Sequence, residues 1–409
     1  MRKKHLSSGL DTIQHVIPAS ESPDVVAQGL EYLEYGKYTT KYTHDISNNR
    51  IFINSILPSF PGKAWNRFFD GAYRIGKGER VPLWLDIVAT GRCHCDCWHC
   101  FRSNFADRSD LELSVLESII HDAYELGTVM LGITGGEPML HRDLLEVIRM
   151  VPEGMEMQLY STGHQIHESF IQEAQDSQLT RCIISLDHFR PEIINSRRNN
   201  SLAFDEAVHA LKLLSKSTIY ASAALCITED LCSEEELYRY MDLVCSLAVD
   251  EIRVILPIPQ GKLQGANHKR LYLDARKALR KIREESAGDG DAPSIILFGD
   301  LESKGCFGCG AGFHYLAVNN DGSVNPCVAV PLSFGDIHRS NLREIYAGME
   351  SYFKSSGTTC LGRRLGRVCT KKNFISDIYP YSLEDSKMLT SHCRVDGNPA
   401  DFFTHLVLQ

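Results

Sequence analysis

Residues 83–100 read LWLDIVATGRCHCDCWHC, an apolar run of strand length that leads directly into a loop crowded with sulfur. Five more runs of that length follow, at Val129–Thr134, Met157–Tyr160, Cys182–Leu186, Ile219–Ile227 and Ile252–Pro257. Between them lie helical stretches: Leu111–Leu126, Arg142–Val151, Ile166–Gln175, Phe204–Leu214 and Ser233–Leu247. Six strands alternating with helices predict an α/β fold paired in parallel through right-handed crossovers, either an open sheet or a partial (βα)6 TIM-like barrel. Folds of this class gather their chemistry at the carboxyl ends of the strands. The cysteine loop stands at one of those ends.

Four cysteines, Cys93, Cys95, Cys97 and Cys100, fall within eight residues. A loop this short lets Cys93, Cys97 and Cys100 converge on one 4Fe–4S cubane. Three ligands on four irons leave one iron open to something other than protein. Zinc is the competing reading: a structural zinc site takes four ligands, and Cys95, His94 or His99 can supply the fourth. Random placement of the cysteines would give this triple spacing only about 0.016 times per chain.

The chain around this loop has 409 residues, 43% of them hydrophobic, enough for a sizeable core and two or three domains. A net charge of −9 and the lack of Lys/Arg clusters beyond pairs such as Arg197-Arg198 argue against nucleic-acid binding. No run approaches the ~20 apolar residues of a membrane span, and no apolar run of signal-peptide length follows the basic opening MRKKHLSSGL. A soluble, cytoplasmic chain is expected. Its 14 cysteines then point to metal or iron–sulfur ligation rather than to disulfides. Cys182, Cys226, Cys232 and Cys245 read as small buried hydrophobes. Before residue 81 the expectations are a helix over Asp24–Tyr35 and a strand over Arg50–Leu57, ended by the Pro58 and Pro61 turn region. Ala266–Ser286 reads as a charged helix, and AGDGDAP at 287–293 as a linker.

The cysteine spacing, with a ring-bearing His99 just before the last sulfur, resembles the radical S-adenosylmethionine (radical SAM) superfamily. Downstream segments match the same family in order. ITGGEPML carries Gly135, Gly136, Glu137 and Pro138, similar to the segment that holds the methionine amino group; adjacent glycines permit close backbone approach, and a carboxylate accepts from a cationic amine. LYSTG carries Ser161, and ISLDH carries Ser185 and Asp187, at positions that line the cofactor and substrate cavity in relatives. Arg198 stands where relatives place an arginine that pairs with the methionine carboxylate; Asn199 replaces the glycine many of them have next. Gly261, after the sixth strand, suits a close approach near the adenine or a simple turn. The resemblance covers roughly residues 83–262. It implies that S-adenosylmethionine binds the open iron and is cleaved to a 5′-deoxyadenosyl radical that takes hydrogen from a substrate.

Near the C-terminus, Cys306-Phe-Gly-Cys309 is followed by YLAVNNDGSVNPC, which reads as a hairpin ending at Cys327. A hairpin returns the chain, so Cys309 and Cys327 can lie close together. This resembles the auxiliary-cluster extension called SPASM, or its shorter twitch form. The tight cysteine group of the full pattern is missing, and only Cys360, Cys369 and Cys393 remain. The resemblance therefore implies one auxiliary iron–sulfur cluster, held by Cys306, Cys309, Cys327 and Cys360, with Cys369 and Cys393 as substitutes or bystanders. A structural zinc ribbon or free thiols are the bland alternative.

These readings divide the chain into a cap at 1–80, a radical SAM core at 81–290 and a SPASM/twitch-like domain at 291–409. They imply an enzyme that tailors a small molecule or lipid, with a reducing partner such as flavodoxin or ferredoxin. A maturase acting on a ribosomal peptide is the second reading, since no peptide-binding winged-helix module is visible before residue 81. A non-catalytic metal-binding scaffold is the alternative of another class.

Overall fold

Strand β1 (Lys3–Leu6), helix α1 (Pro23–Tyr35), strands β2 (Tyr42–Asp45) and β3 (Arg50–Phe52) and helix α2 (Lys63–Gly76) open the chain. The computed structural model describes residues 3–6, 23–35, 41–266, 269–287, 289–374, 379–393 and 399–407. The first three strands form a small antiparallel sheet in the order β1-β2-β3, with Lys3 opposite Asp45 and Thr43 opposite Phe52. The strand expected over Arg50–Leu57 stops at Phe52 because the next residues are used elsewhere. Ser55 N–H donates to Glu251 (2.7 Å) and Ser59 N–H to Glu156 (2.9 Å), while the Arg181 guanidinium donates to the carbonyls of Asn54 and Leu57. Glu156 and Glu251 begin two strands of the main sheet, so residues 54–59 plug its amino end.

That main sheet is built from the six apolar runs: β4 (Trp84–Thr90), β5 (Met130–Gly135), β6 (Glu156–Ser161), β7 (Leu179–Ser185), β8 (Tyr220–Cys226) and β9 (Glu251–Ile255). Each pairs in parallel with the next, with Trp84 beside Met130 and Met130 beside Glu156. The crossovers carry α3 (Leu113–Leu126), α4 (Leu144–Met150), α5 (Glu168–Ala174), α6 (Pro191–Arg198), α7 (Ala203–Leu214) and α8 (Glu234–Ser246). All residues of β4 and β8 are buried, as a parallel sheet covered on both faces requires. Helix α3 turns Leu116, Ile119, Ile120 and Ala123 to the sheet at three- and four-residue spacing. Burial of each large apolar side chain stabilises the fold by about 1.5–3 kcal/mol. The helix ends at Gly127, whose φ of 100° supplies a left-handed cap. Helix α6 was not anticipated, because its sequence PEIINSRR buries only Ile194 and Arg198 and has no apolar stripe.

The C-terminal region builds onto both edges of this sheet. After α9 (Lys269–Ser286), strand β10 (Ser294–Leu297) adds in parallel to β9 and runs into the short helix α10 (Phe298–Leu301). The expected hairpin is present as β11 (Tyr315–Val318) and β12 (Val324–Asn325), and β11 pairs in parallel with β4. The order is β10-β9-β8-β7-β6-β5-β4-β11-β12, an open nine-stranded partial barrel. Helices α11 (Leu342–Gly348), α12 (Leu361–Lys372), α13 (Leu383–His392) and α14 (Asp401–His405) complete the chain. Phe307, Phe402 and Phe403 join Phe68 and Phe69 of α2 in the core. Among the described residues no helix is long and apolar enough to cross a membrane.

Candidate active site

The cysteine loop follows β4 and is fastened on three sides. Asp96 N–H donates to Arg198 O (2.9 Å) and Trp98 N–H to Arg197 O (2.8 Å), which ties it to the end of α6. Glu137 N–H donates to Arg92 O (2.7 Å), and Lys262 N–H donates to Cys100 O (3.1 Å). Two glycines make these contacts possible. A Cβ on Gly136 would stand 2.0 Å from Arg92 O, and one on Gly261 would stand 2.3 Å from Cys100 O. A Cβ on Gly135 would stand 2.7 Å from Thr90 O. The glycines let the loop backbone pass, so their small size serves the cysteine loop itself.

Two of the sulfurs, those of Cys93 and Cys97, sit in a setting that favours thiolates. The Cys95 thiol hydrogen-bonds to Cys93 and Cys97 and lowers both, Cys97 to about 7 with further help from Arg198. Arg198 Nη1 donates to Cys97 Sγ at 3.6 Å, and Asn200 Nδ2 donates to Cys95 Sγ at 3.6 Å. Burial raises Cys100 and holds His99 neutral, down to about 4. Thiolates, not thiols, ligate metal, so a loop with Cys93 and Cys97 disposed to ionise and a cation at one of them fits a cluster. Cys95 is placed as a donor to its neighbours.

Behind the loop lie two buried polar ties. Glu137 is fully buried; its carboxylate accepts from Ser161 Oγ (2.7 Å), Thr162 N–H (2.8 Å), Thr162 Oγ1 (2.7 Å) and Met139 N–H (3.2 Å). A carboxylate has about four acceptor positions, and here all are used. Glu137 and Ser161 thus bind the ends of β5 and β6 to each other. Asp187 and Arg198 form the second tie, an ion pair with both side chains almost wholly buried. Burial alone would raise Asp187, but Arg198 and the Cys226 N–H keep it below the usual carboxylate range. Arg198 is desolvated too, yet Asp187 and Cys97 hold it above the ordinary arginine value. Its Nε has no partner among the described residues. Ser185, half-buried, ends β7 two residues before Asp187.

The structure groups the C-terminal cysteines as Cys309, Cys327 and Cys360. Cys309 and Gly357 exchange backbone hydrogen bonds (2.7 and 2.8 Å), which brings residue 360 alongside. Leu361 N–H donates to Cys309 Sγ at 3.4 Å. Cys360 caps α12, and a hydrogen bond from Cys309 and the helix N–H groups of Gly362 and Arg363 lower it to about 6 despite burial. A thiolate at a helix N-terminus is electrostatically favoured, so this set too fits an iron–sulfur cluster. Cys306 is fully buried beside Asp300 instead. Cys369 and Cys393 neighbour each other.

Glu302 was missed in the sequence, where no motif marks it. It lies deep in the fold near Cys309, Cys327 and Cys360, and burial first, then the Cys360 charge, pushes it well above the carboxylate range. Glu302, Cys327, Cys360, Tyr160 and Tyr315 lie deep yet retain accessible surface, so they face an internal space. Asp86 joins them from β4, where it is the lone carboxylate of an apolar strand. Tyr315 Oη donates to it (2.5 Å), and a Cβ at Gly132 would overlap it at 1.9 Å. Burial raises Asp86 to about 6, against opposition from Tyr315 and Arg253. Arg253 is 5% exposed. It donates to Tyr160 Oη (3.3 Å), lies 5.3 Å over the Tyr160 ring and 4.8 Å over the Phe298 ring, and has an unpartnered Nε among the described residues.

Comparison with known proteins agrees with this geometry. Residues 87–240 match the Radical SAM superfamily, and residues 309–370 match SPASM, the iron–sulfur cluster-binding domain. The second match begins at Cys309 and leaves out Cys306. An AdoMet-dependent heme synthase of Methanosarcina barkeri is 22% identical over 300 residues, 67% of this chain and 84% of that protein. One from Oleidesulfovibrio alaskensis is 24% identical over 298 residues, covering 66% and 75%. The crystal structure of Streptococcus suis SuiB bound to precursor peptide SuiA superposes with a TM-score of 0.58 at 16% identity, covering 81% of this chain and 83% of that one. Native anSMEcpe with bound AdoMet and Cp18Cys peptide gives 0.55 at 20% identity, covering 76% and 95%. At those identities the two structures speak for the fold.

Proposed function

This chain is a radical SAM enzyme with a C-terminal SPASM domain, and from that premise we propose that it takes hydrogen from a polar, carboxylate-bearing small molecule held between its two cysteine groups. When bound, the cluster at Cys93, Cys97 and Cys100 and its S-adenosylmethionine supply one-electron cleavage of a sulfonium to a 5′-deoxyadenosyl radical. The chain's own residues prepare that chemistry. Arg198, kept cationic by Asp187, stands at Cys97, with its free Nε available to a carboxylate of the cofactor. His99 stays neutral beside it. Glu137 and Ser161 hold the strand ends in place, and Gly135, Gly136 and Ser185 lie around the same mouth. Cys309, Cys327 and Cys360 would hold an auxiliary cluster across the internal space.

One observation carries the substrate class: Arg253 is a buried cation facing carboxyl groups that burial disposes towards their neutral forms. A buried charge lacking a full partner is costly, and an anionic substrate group would satisfy it. A lipid tail would gain little against Asp86, Arg253 and Glu302. The likeness to two proteins named AdoMet-dependent heme synthase is in keeping with a small molecule. A peptide substrate is the second reading, favoured by β1, an edge strand of the N-terminal sheet to which an extended chain could add.

Anaerobic loading with iron and sulfide, then dithionite, should yield 5′-deoxyadenosine from the wild type and none from the combined Cys93→Ala, Cys97→Ala and Cys100→Ala variant. Equal yields from both would remove the assignment. Stimulation confined to an added peptide, and unchanged in Arg253→Met, would favour the second reading.

A further inference from the structure

His94 stands between the first two cysteines of the loop, outside the set of Cys93, Cys97 and Cys100. Its ring stacks on that of His164, with centroids 3.9 Å apart and planes inclined by 26°. Both rings turn an edge towards one carboxylate. His94 Nε2 lies 3.3 Å from Glu206 Oε2, and His164 Nδ1 lies 2.8 Å from Glu206 Oε1. Three separate elements contribute: the cysteine loop, the turn after β6, and the first turn of α7. Gly163, at φ +95°, makes the meeting possible, since a Cβ there would stand 2.7 Å from Glu206 O.

We propose that His94, His164 and Glu206 bind a divalent transition-metal ion of the zinc class, separate from both cysteine groups, and that this ion pins the cysteine loop to α7. The ligand atoms lie within 4.8 Å of one another. Bonds of about 2.0–2.1 Å place adjacent ligands roughly 2.9–3.4 Å apart, and both contacts to Glu206 are close to that range. Two imidazoles and a carboxylate select zinc or a similar late first-row ion over magnesium or calcium. The side chains are about one-fifth exposed, which leaves a further position open to water. Two imidazole N–H groups donating to one carboxylate would give the same distances, so metal content must separate the cases.

The test uses the full chain, loaded anaerobically with iron and sulfide, equilibrated with Zn2+ and then desalted; zinc and iron are counted by mass spectrometry. The wild type should retain about one zinc per chain beside its iron. His164→Ala and Glu206→Gln should each weaken zinc binding at least about tenfold while iron is retained. The combined Cys93→Ala, Cys97→Ala and Cys100→Ala variant should keep its zinc, which separates this site from zinc misplaced among the cysteines. Absence of stoichiometric zinc in the wild type overturns the proposal. So does zinc that survives in both His164→Ala and Glu206→Gln, or that disappears with the three cysteines.

Discussion

Replacing Gly261 by alanine tests whether the first cysteine loop depends on its fit against the loop after β9. Gly261 has φ +56°, and an added Cβ would stand 2.3 Å from Cys100 O and 2.6 Å from Phe101 Cα. The left-handed backbone costs a residue with a side chain about 1–2 kcal/mol. The collision matters more. Both contacts must open to at least 3.0 Å, and each involves backbone, which cannot swing aside as a side-chain tip would. Cys100 therefore shifts from its place in the loop, and the Lys262 N–H bond to its carbonyl loosens with it. Misplacement of a reacting group by about 1 Å can cost about a hundredfold in rate. Gly261→Ala should keep its far-UV spectrum and lose only a few degrees of melting temperature, yet retain little iron at this site and form 5′-deoxyadenosine about a hundredfold more slowly. Gly265→Ala is the control, because Gly265 has φ +81° and nothing within 4 Å of its added Cβ. It carries the backbone cost without the collision. If the two variants lose iron equally, or Gly261→Ala loses none, the reasoning from contact distance is wrong.

Asp187→Asn strands a buried guanidinium and should lower stability by about 3–5 kcal/mol; with Arg198→Met added, the loss should be smaller than the sum of the two single losses, and strictly additive denaturant midpoints would contradict the pair. Asp86 titrates near 6 when folded against 3.8 for an exposed carboxyl, so the folded chain holds that proton more tightly. Its stabilising contribution is full below about pH 4 and is lost as pH rises to about 6, up to about 3 kcal/mol. Asp86→Asn should flatten this slope in unfolding measured from pH 4.5 to 7.5; an unaltered slope assigns the titration elsewhere. Cys309→Ala should lose about four irons per chain while Cys306→Ala keeps them, and the reverse result would restore Cys306 as a ligand.

The strands of the core were legible because they are largely buried on both faces, which writes short apolar runs such as Leu83–Leu85 and Cys182–Ile184 into the sequence as plainly as spacing writes the cysteine loop. Helix α6 was not legible, since it packs by hydrogen bonds from the cysteine loop to the Arg197 and Arg198 carbonyls rather than by an apolar stripe. The strand expected over Arg50–Leu57 ends early for a related reason: Ile53, Ile56 and Leu57 are buried, but the Asn54 carbonyl, Ser55 and Ser59 are bonded to Arg181, Glu251 and Glu156 of distant strands. Glu137 is legible as a carboxylate in the segment after β5, yet three of its four donors come from Ser161 and Thr162, which only the fold brings near. Asp86 could have been found as one charge in an apolar strand. Nothing comparable marks Glu302, whose neighbours are cysteines made close by tertiary contacts.

The pairing of β11 with β4 explains why two cysteine groups far apart in sequence are carried by neighbouring strands. Strand β4 delivers Asp86 to the interior and, a few residues later, the loop of Cys93, Cys97 and Cys100. Strand β11 lies beside it in register, Tyr315 against Trp84 and Ala317 against Asp86, and its hairpin returns through β12 to Cys327. The hydrogen bond from Tyr315 to Asp86 crosses that pairing inside the barrel. Because the two strands share a ladder, the separation of the two groups is set by backbone geometry rather than by a flexible linker. An ordinary parallel strand pair therefore fixes how the loop after β4 stands to the hairpin that leads to Cys327.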